Sequence, residues 1–252
     1  MWFRGDEVPM VIQVTDRDEA MLAWLNVVRM ADLEAVKFAL AGLAGAGEPV
    51  GKRRANQWVA RMEKAGWVTR TRPTYMDSSI IWATSEALGR PAPSLFRMTT
   101  RHEVAVAAVS ARYLFHGYGW ARDRRPAGLA DHQADGVATK GNVAELVEVE
   151  LSAKRLERYK LIHESQAIRL AHDGFSRVAY LGTADALGAV MRQADRFMFR
   201  TERDRLVGVP VFDSRGIWKG DDPRLWAGAP QATDRAVSAE LSGLDRFDGA
   251  AR

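Results

Sequence analysis

The chain contains no cysteine, so disulfide bonds and zinc sites built from thiolates are excluded. Long apolar runs are also lacking, and no stretch approaches the roughly 20 apolar residues that a membrane-spanning helix requires. The N-terminal sequence MWFRGDEVPMVIQV carries charges where a secretory signal has an unbroken apolar segment. We therefore expect a cytoplasmic protein with no membrane partner.

Glycine loops of the type GxxxxGK, which hold nucleotide phosphates, are absent as well, so no nucleotide cofactor is expected. The five histidines are scattered without a two-histidine metal spacing, and we expect His163 and His172 to pack beside or cap a helix. Tyr113, Tyr118 and Tyr159 have no paired histidines of the kind that assist a tyrosine nucleophile. We expect these tyrosines to be structural.

Positive charge is concentrated in one short segment. The 252 residues have a net charge of +4, yet residues 50–72 alone hold seven basic residues and one acidic residue, a local charge of +6. Such a concentration is typical of an element that binds phosphate groups, whereas the plainer alternative is a solvated basic helix. The chain is long enough for two domains, and 47% of its residues are hydrophobic.

The first 90 residues show the pattern of three helices followed by a two-stranded ribbon. Apolar spacing and capping residues predict helices over 15–30, 31–43 and 50–66, and strands over 67–72 and 80–84. This order predicts a winged helix, in which the third helix enters the major groove of DNA and the ribbon contacts its backbone. The predicted DNA-binding residues are Lys52, Arg53, Arg54, Asn56, Gln57, Arg61, Lys64, Arg70 and Arg72. A protein-interaction module with a basic face is the alternative.

A segment rich in proline and glycine, residues 85–98, is predicted to link two domains. We predict a winged-helix domain over 1–90, an α/β domain over 99–218 that opens with a helix, and a loosely ordered tail over 219–252. The predicted fold class is α+β. Its second domain is expected to have a mixed sheet.

A hairpin in this second domain gathers carboxylates. Gly141 and Asn142 suit a two-residue turn, because glycine supplies the positive φ needed at the first central position. The resulting register places Asp135 across from Glu148, and Glu150 lies on the same face as Glu148. Like charges so close together repel, which favours a cation among them.

Two interpretations of these carboxylates stay open. In the first, Asp135 and Glu148 bind magnesium or manganese, Glu150 assists as a ligand or base, and Lys154 stabilises the charge that develops on a phosphate. In the second, the acids line a solvated sheet face, with Lys140 and Lys154 as neutralising neighbours.

The order of these features resembles the core of the PD-(D/E)xK nuclease superfamily. Glu103 stands on a helix, Asp135 and Glu148 follow, and the helix KRLERYKLIHESQAIRLA and the strand SRVAYLGT come next. In that superfamily a lysine stands two positions after the second acid. Here that position is Glu150, and the resemblance implies that the lysine has moved to Lys154.

The whole order also resembles the replication-relaxation family of actinobacterial plasmids and other mobile elements. The resemblance covers about residues 15 to 200 and includes the acid-rich strand VEVELSAK followed by a long helix and a βα unit. It implies a protein that binds double-stranded DNA and acts in replication, transfer or relaxation of such elements, in one interpretation as a magnesium- or manganese-dependent endonuclease. In the other interpretation the protein is a transcriptional or replication regulator, and an inactive nuclease-like domain serves for homodimer formation or partner docking.

Overall fold

A computed structural model describes residues 13–76, 78–220 and 222–226. The chain is α+β, as predicted, with one antiparallel sheet and one mixed sheet. It divides into two units, Met1–Arg122 and Asp123–Arg252. Within the ranges that the structure describes, no helix is both long enough and apolar enough to cross a membrane.

Unit 1 begins with helices whose caps and apolar faces were visible in the sequence. The helices described in this unit are α1 (Asp16–Val28), α2 (Leu33–Leu43), α3 (Lys52–Lys64), α4 (Ser85–Leu88) and α5 (Thr100–Phe115). The strands are β1 (Ala31–Asp32), β2 (Val68–Thr71), β3 (Ile80–Ala83) and β4 (Gly119–Ala121). Strand β3 lies between β1 and β2 and is antiparallel to both.

Local sequence explains where these helices start and which side each one buries. Thr15 and Asp18 form a reciprocal capping box at α1, and the Asp32 carboxylate accepts a hydrogen bond from the Ala35 amide at the start of α2 (2.7 Å). Helix α3 is amphipathic, and the side chains that it buries are Ala55, Trp58, Val59 and Met62. This apolar stripe holds α3 against the rest of unit 1 and leaves its opposite side outside the core.

Helix α5 belongs to unit 1, which differs from the predicted domain boundary. The indole nitrogen of Trp24 in α1 donates a hydrogen bond to the Ser110 hydroxyl in α5 (3.0 Å), and Ala107 and Ala111 join the core of α1, α2 and α3. The division therefore falls after Arg122 and not within residues 85–98. The physical reason is the row of small residues in α5, which lets this helix pack closely on α2.

Unit 2 combines a hairpin with parallel strands and the helices that connect them. The strands are β5 (Gly136–Lys140), β6 (Val143–Glu150), β7 (Arg177–Gly182) and β8 (Leu206–Pro210), and the helices are α6 (Leu156–His172), α7 (Ala184–Phe197), α8 (Arg200–Arg203) and α9 (Pro223–Trp226). These strands lie side by side in chain order. The β5–β6 pair is antiparallel and the following pairs are parallel, which confirms the predicted mixed sheet.

The predicted hairpin register is confirmed. Gly141 has a φ of 60° in the turn, and Lys140 pairs with Val143. The interpretation of a solvated sheet face is wrong for Glu148 and Glu150, however, because β6 is buried from Glu145 to Glu150. The reason is that β7 pairs with β6 on the other side and α6 and α7 cover the face that bears Leu146, Tyr180 and their neighbours. Asp135 is half-buried.

Most of the predicted tail over 219–252 lies outside the described residues. Within the described part, α9 places Leu225 in a buried position, and its carbonyl accepts a hydrogen bond from the Arg177 guanidinium (2.7 Å). The Glu145 carboxylate also pairs with Arg177, so this buried arginine joins β6, β7 and α9.

Candidate nucleic-acid interface and carboxylate cluster

Helix α3 carries cations on its exposed side. Lys52, Arg53, Arg54 and Gln57 are all exposed. Among residues 13–76, 78–220 and 222–226, no carboxylate forms an ion pair with Lys52, Arg53 or Arg54. These long donors are therefore available to an anion in the solvent.

Arg61, which was also predicted to contact DNA, has a partner inside unit 1. Its guanidinium forms an ion pair with the buried Asp18 carboxylate, and the Trp58 indole nitrogen donates to the same carboxylate (2.9 Å). Burial alone would raise the pKa of Asp18, but the hydrogen bonds from Arg61, Thr15 and Trp58 outweigh it and lower this pKa to about 2. Arg61 thus anchors α3 to α1.

Two more predicted DNA contacts hold the ribbon against α3. Arg70 in β2 forms an ion pair with Glu63 (3.1 Å) and donates a hydrogen bond to the Asn56 side-chain oxygen (3.2 Å). Both partners of Arg70 lie on α3, so these bonds fix where the ribbon stands beside that helix. Lys64 and Arg72 are exposed.

A groove beside α3 adds a residue that the sequence analysis missed. Its lining is Arg17, Leu40, Val50, Arg54, Gln57, Trp58 and Arg61. Arg17 is exposed in the first turn of α1, among the acids Asp16 and Asp18. The sequence shows Arg17 as a basic residue in an otherwise acidic first turn, but its position at the groove depends on tertiary packing.

The carboxylates of unit 2 are embedded in a hydrogen-bond network. Glu148 is 6% exposed, and its Oε1 atom bonds the His132 imidazole (Nε2, 2.7 Å) and accepts from the Gln166 amide (2.9 Å). The Tyr180 hydroxyl donates to the Gln166 side-chain oxygen (2.8 Å), which orients the amide. Glu148 is therefore held in one position by residues from α6, β7 and the segment before β5.

Asp135 and Glu150 complete this cluster. Asp135 accepts a hydrogen bond from the Val149 amide (2.8 Å), and the Lys154 ammonium forms an ion pair with Glu150. Burial raises the pKa of Glu150, and the charges of Glu148 and Asp135 add to this effect while Lys154 opposes it. The four residues predicted to be catalytic thus lie in one neighbourhood of unit 2.

The fit of a divalent metal to this cluster is incomplete. Carboxylate oxygens are suitable ligands for magnesium or manganese. However, the described residues include no group of three histidine, aspartate or glutamate side chains placed to hold an ion. Lys154 already supplies a positive charge to Glu150, and His132 and Gln166 supply hydrogen bonds to Glu148. The residues as placed do not form a three-ligand metal site, and metal binding stays a prediction.

No family model, curated protein or solved structure matches this chain.

His132, Gln166 and Tyr180 were not predicted as site residues. The sequence places them on three different elements, 14 or more positions apart, and their contacts with one another and with Glu148 arise only on folding. In the parallel register of β6 and β7, Tyr180 lies directly beside Glu148, but this register was not predicted from the sequence. His163 is buried between Tyr159 and Tyr180, which agrees with a packing role.

Proposed function

We propose that the chain is a double-stranded DNA-binding protein whose unit 1 acts as a winged helix. The observation that carries this proposal is the set of cations on the exposed side of α3, Lys52, Arg53 and Arg54, which have no carboxylate partners within the described residues. The element order α1, β1, α2, α3, β2, β3, with β3 in the middle of its sheet, supports it.

In this proposal the predicted contact residues of unit 1 divide into two groups. Arg53, Arg54 and Gln57 point to solvent and contact base edges and phosphates, because arginine and glutamine can make paired hydrogen bonds to bases. Arg61 and Arg70 keep α3 and the ribbon in place through Asp18 and Glu63. Phosphate contacts from Arg17 and Arg72 would flank the helix.

The test is DNA binding by the full chain with Arg53→Ala and Arg54→Ala combined. We expect weaker binding of a labelled duplex, and the slope of log affinity against log salt concentration should fall by about 2, because each lost phosphate contact removes about 0.9. Fluorescence anisotropy at several salt concentrations measures both quantities.

A variant with the same loss of charge provides the control. Arg97 is exposed in the segment before α5 and Arg101 is exposed in the first turn of α5, and their combined change to Ala should leave the slope nearly unchanged. The assignment of α3 as the DNA-contacting element would be wrong if the Arg53/Arg54 variant bound DNA as tightly as the unchanged protein. It would also be wrong if both variants lost the same amount of DNA affinity.

A metal-dependent endonuclease is the second candidate function. It is favoured by the gathering of Asp135, Glu148 and Glu150, and by the Oε2 atom of Glu148, which has no hydrogen-bond partner among the described residues. The test is cleavage of supercoiled plasmid with magnesium or manganese by the unchanged protein, Asp135→Ala and Glu148→Ala. Cleavage that both changes abolish supports the enzyme.

Absence of cleavage, with DNA binding retained in all three proteins, favours a regulator in which unit 2 serves dimerisation or partner docking. Replication, transfer or relaxation of plasmid or mobile-element DNA is the setting that the family resemblance suggests for either function.

A further inference from the structure

Strands β6 and β7 are parallel and end at the same edge of the sheet. Glu150, the last residue of β6, pairs with Gly182, the last residue of β7, and α6 and α7 begin shortly after these strand ends. In sheets with parallel strands, ligands bind outside the carboxyl ends of the strands. This edge is therefore the part of unit 2 to search for a ligand surface.

Three arginines lie at this edge, and we call them the arginine edge: Arg155, Arg158 and Arg192. Arg155 directly precedes α6, Arg158 lies in its first turn, and both are exposed. Arg192 is exposed on α7, and its guanidinium reaches back over Gly188, where a Cβ would lie 3.3 Å from the Nη1 atom. It therefore points toward the start of α7, which is the strand-end side of the sheet.

The charge of Arg192 acts on Tyr159 in the first turn of α6. The Tyr159 hydroxyl accepts a hydrogen bond from the Lys154 amide (3.0 Å). Burial raises the pKa of this hydroxyl, and the positive charges of Lys154 and Arg192 act in the opposite direction. Lys154 and Arg192 therefore both act electrostatically on a hydroxyl group that belongs to the first turn of α6.

The guanidinium groups of the arginine edge differ from the buried arginines of unit 2 in their partners. Among the described residues no carboxylate pairs with Arg155, Arg158 or Arg192, although Glu157 and Asp185 stand close in sequence. By contrast, the buried arginines of this unit are paired, Arg169 with Asp123 and Arg177 with Glu145. Exposed guanidinium groups without a carboxylate partner attract anions, and their planar donor pairs match the oxygens of a phosphate.

We propose that the arginine edge binds the phosphate backbone of DNA and forms a second contact surface, made of other residues than α3. The inference rests on the proposed function for the identity of its ligand. DNA is the partner that fits best, because its phosphates are the same class of anion that suits the exposed cations of α3. An acidic protein partner would also be attracted, and the experiment below separates the two.

The experiment measures duplex binding by the full chain with Arg155→Gln, Arg158→Gln and Arg192→Gln combined. Glutamine keeps most of the side-chain stem and removes only the charge. We expect a lower affinity and a salt slope reduced by about 2 to 3, since about 0.9 is lost for each phosphate contact. The same changes in a protein that already carries Arg53→Ala and Arg54→Ala should lower the remaining slope by a similar amount.

The matched control removes three charges from other parts of unit 2. Lys140 lies at the opposite end of the β5–β6 hairpin, and Arg196 and Arg200 lie at and beyond the last turn of α7. Their combined change to Gln should leave the slope almost unaffected. Equal slopes in the control and the arginine-edge variant, or no change in either, overturn the inference and favour a partner other than DNA.

The two proposals fail in different ways. If the Arg53/Arg54 variant binds DNA normally while the arginine-edge variant binds DNA more weakly, the α3 proposal is contradicted and the arginine-edge proposal is supported. If only the Arg53/Arg54 variant is weakened, the arginine edge is overturned and the α3 proposal stands. Circular dichroism and a thermal melt of each variant test whether a loss of DNA binding comes from unfolding.

Discussion

The Asp18 side chain makes more tertiary contacts than its position in the sequence suggests. In the sequence it is an acid in the first turn of a helix, a position that favours negative charge. In the folded chain its side chain is fully buried and accepts hydrogen bonds from Thr15, Trp58 and Arg61. This carboxylate joins the start of α1 to the middle of α3, and so it sets the orientation of the proposed DNA-contacting helix.

We expect Asp18→Asn to destabilise the protein by about 2 kcal/mol or more at pH 7, because the change removes a charged acceptor and leaves Trp58 and Arg61 poorly paired. The folded-state pKa of Asp18 lies below its ordinary value of 3.8, at about 2. Its contribution to stability is therefore present above pH 3.8 and is lost as the pH falls through about 2.

Urea unfolding at pH 7 and near pH 2 measures this difference. Asp16→Asn is the matched control, since Asp16 is exposed in the same turn, and this change should alter the free energy of unfolding by less than about 0.5 kcal/mol. Similar effects of the two substitutions at pH 7 would contradict the role given to Asp18.

At the scale of the elements, the helix pair α2 and α5 determines how unit 1 closes. The two helices approach so closely at Gly42 that a Cβ there would lie 2.6 Å from the backbone carbon of Leu114 and the backbone nitrogen of Phe115. Only a residue without a side chain fits this crossing. Gly42 therefore has a packing role in the contact between α2 and α5.

We expect Gly42→Ala to destabilise unit 1 by about 1 to 3 kcal/mol, because the added methyl group meets backbone atoms that cannot move aside without shifting a helix. Gly47→Ala is the control, since a Cβ at position 47 would meet no atom within 4 Å. The measurement is the midpoint of thermal or urea unfolding. A Gly42→Ala protein as stable as the Gly47→Ala protein would show that α2 and α5 are farther apart than described.

Local patterns predicted many elements, and tertiary pairing explains the rest. Helices α1, α2 and α3 and strands β2, β3 and β7 lie within two residues of their predicted ranges, because each has its own cap or apolar period. Strands β1 and β4 have two and three residues, too few to show a period. That α5 packs on α2 could not be predicted, since periodicity indicates which face is buried and not what covers it.

The carboxylate cluster was predicted in part for the same reason. The Gly141 turn set the register and brought Asp135 near Glu148, as the sequence analysis expected. The burial of this face was not expected, because alternating acids are typical of a solvated strand. Lys154 was the one partner visible in the sequence, and it pairs with Glu150, whereas the contacts of His132 and Gln166 with Glu148 depend on the folding of the whole unit.

At the scale of the whole molecule, the division after Arg122 predicts which fragments fold on their own. A fragment of residues 1–90 lacks α5 and exposes the core surface that Ala107 and Ala111 cover. It also leaves the Trp24 indole nitrogen without its Ser110 partner. A fragment of residues 1–122 retains these contacts and the complete basic side of α3.

We therefore expect the 1–122 fragment to unfold in one cooperative transition and to bind duplex DNA, and the 1–90 fragment to show no cooperative transition. The fragment of 122 residues should also show a smaller salt slope than the full chain, because it lacks the arginine edge. Thermal melts by circular dichroism and anisotropy titrations test both expectations. If the 1–90 fragment unfolds cooperatively and is as stable as the 1–122 fragment, α5 is not part of the folding unit. If the 1–122 fragment and the full chain show equal salt slopes, these experiments support DNA contacts by α3 and none by the arginine edge.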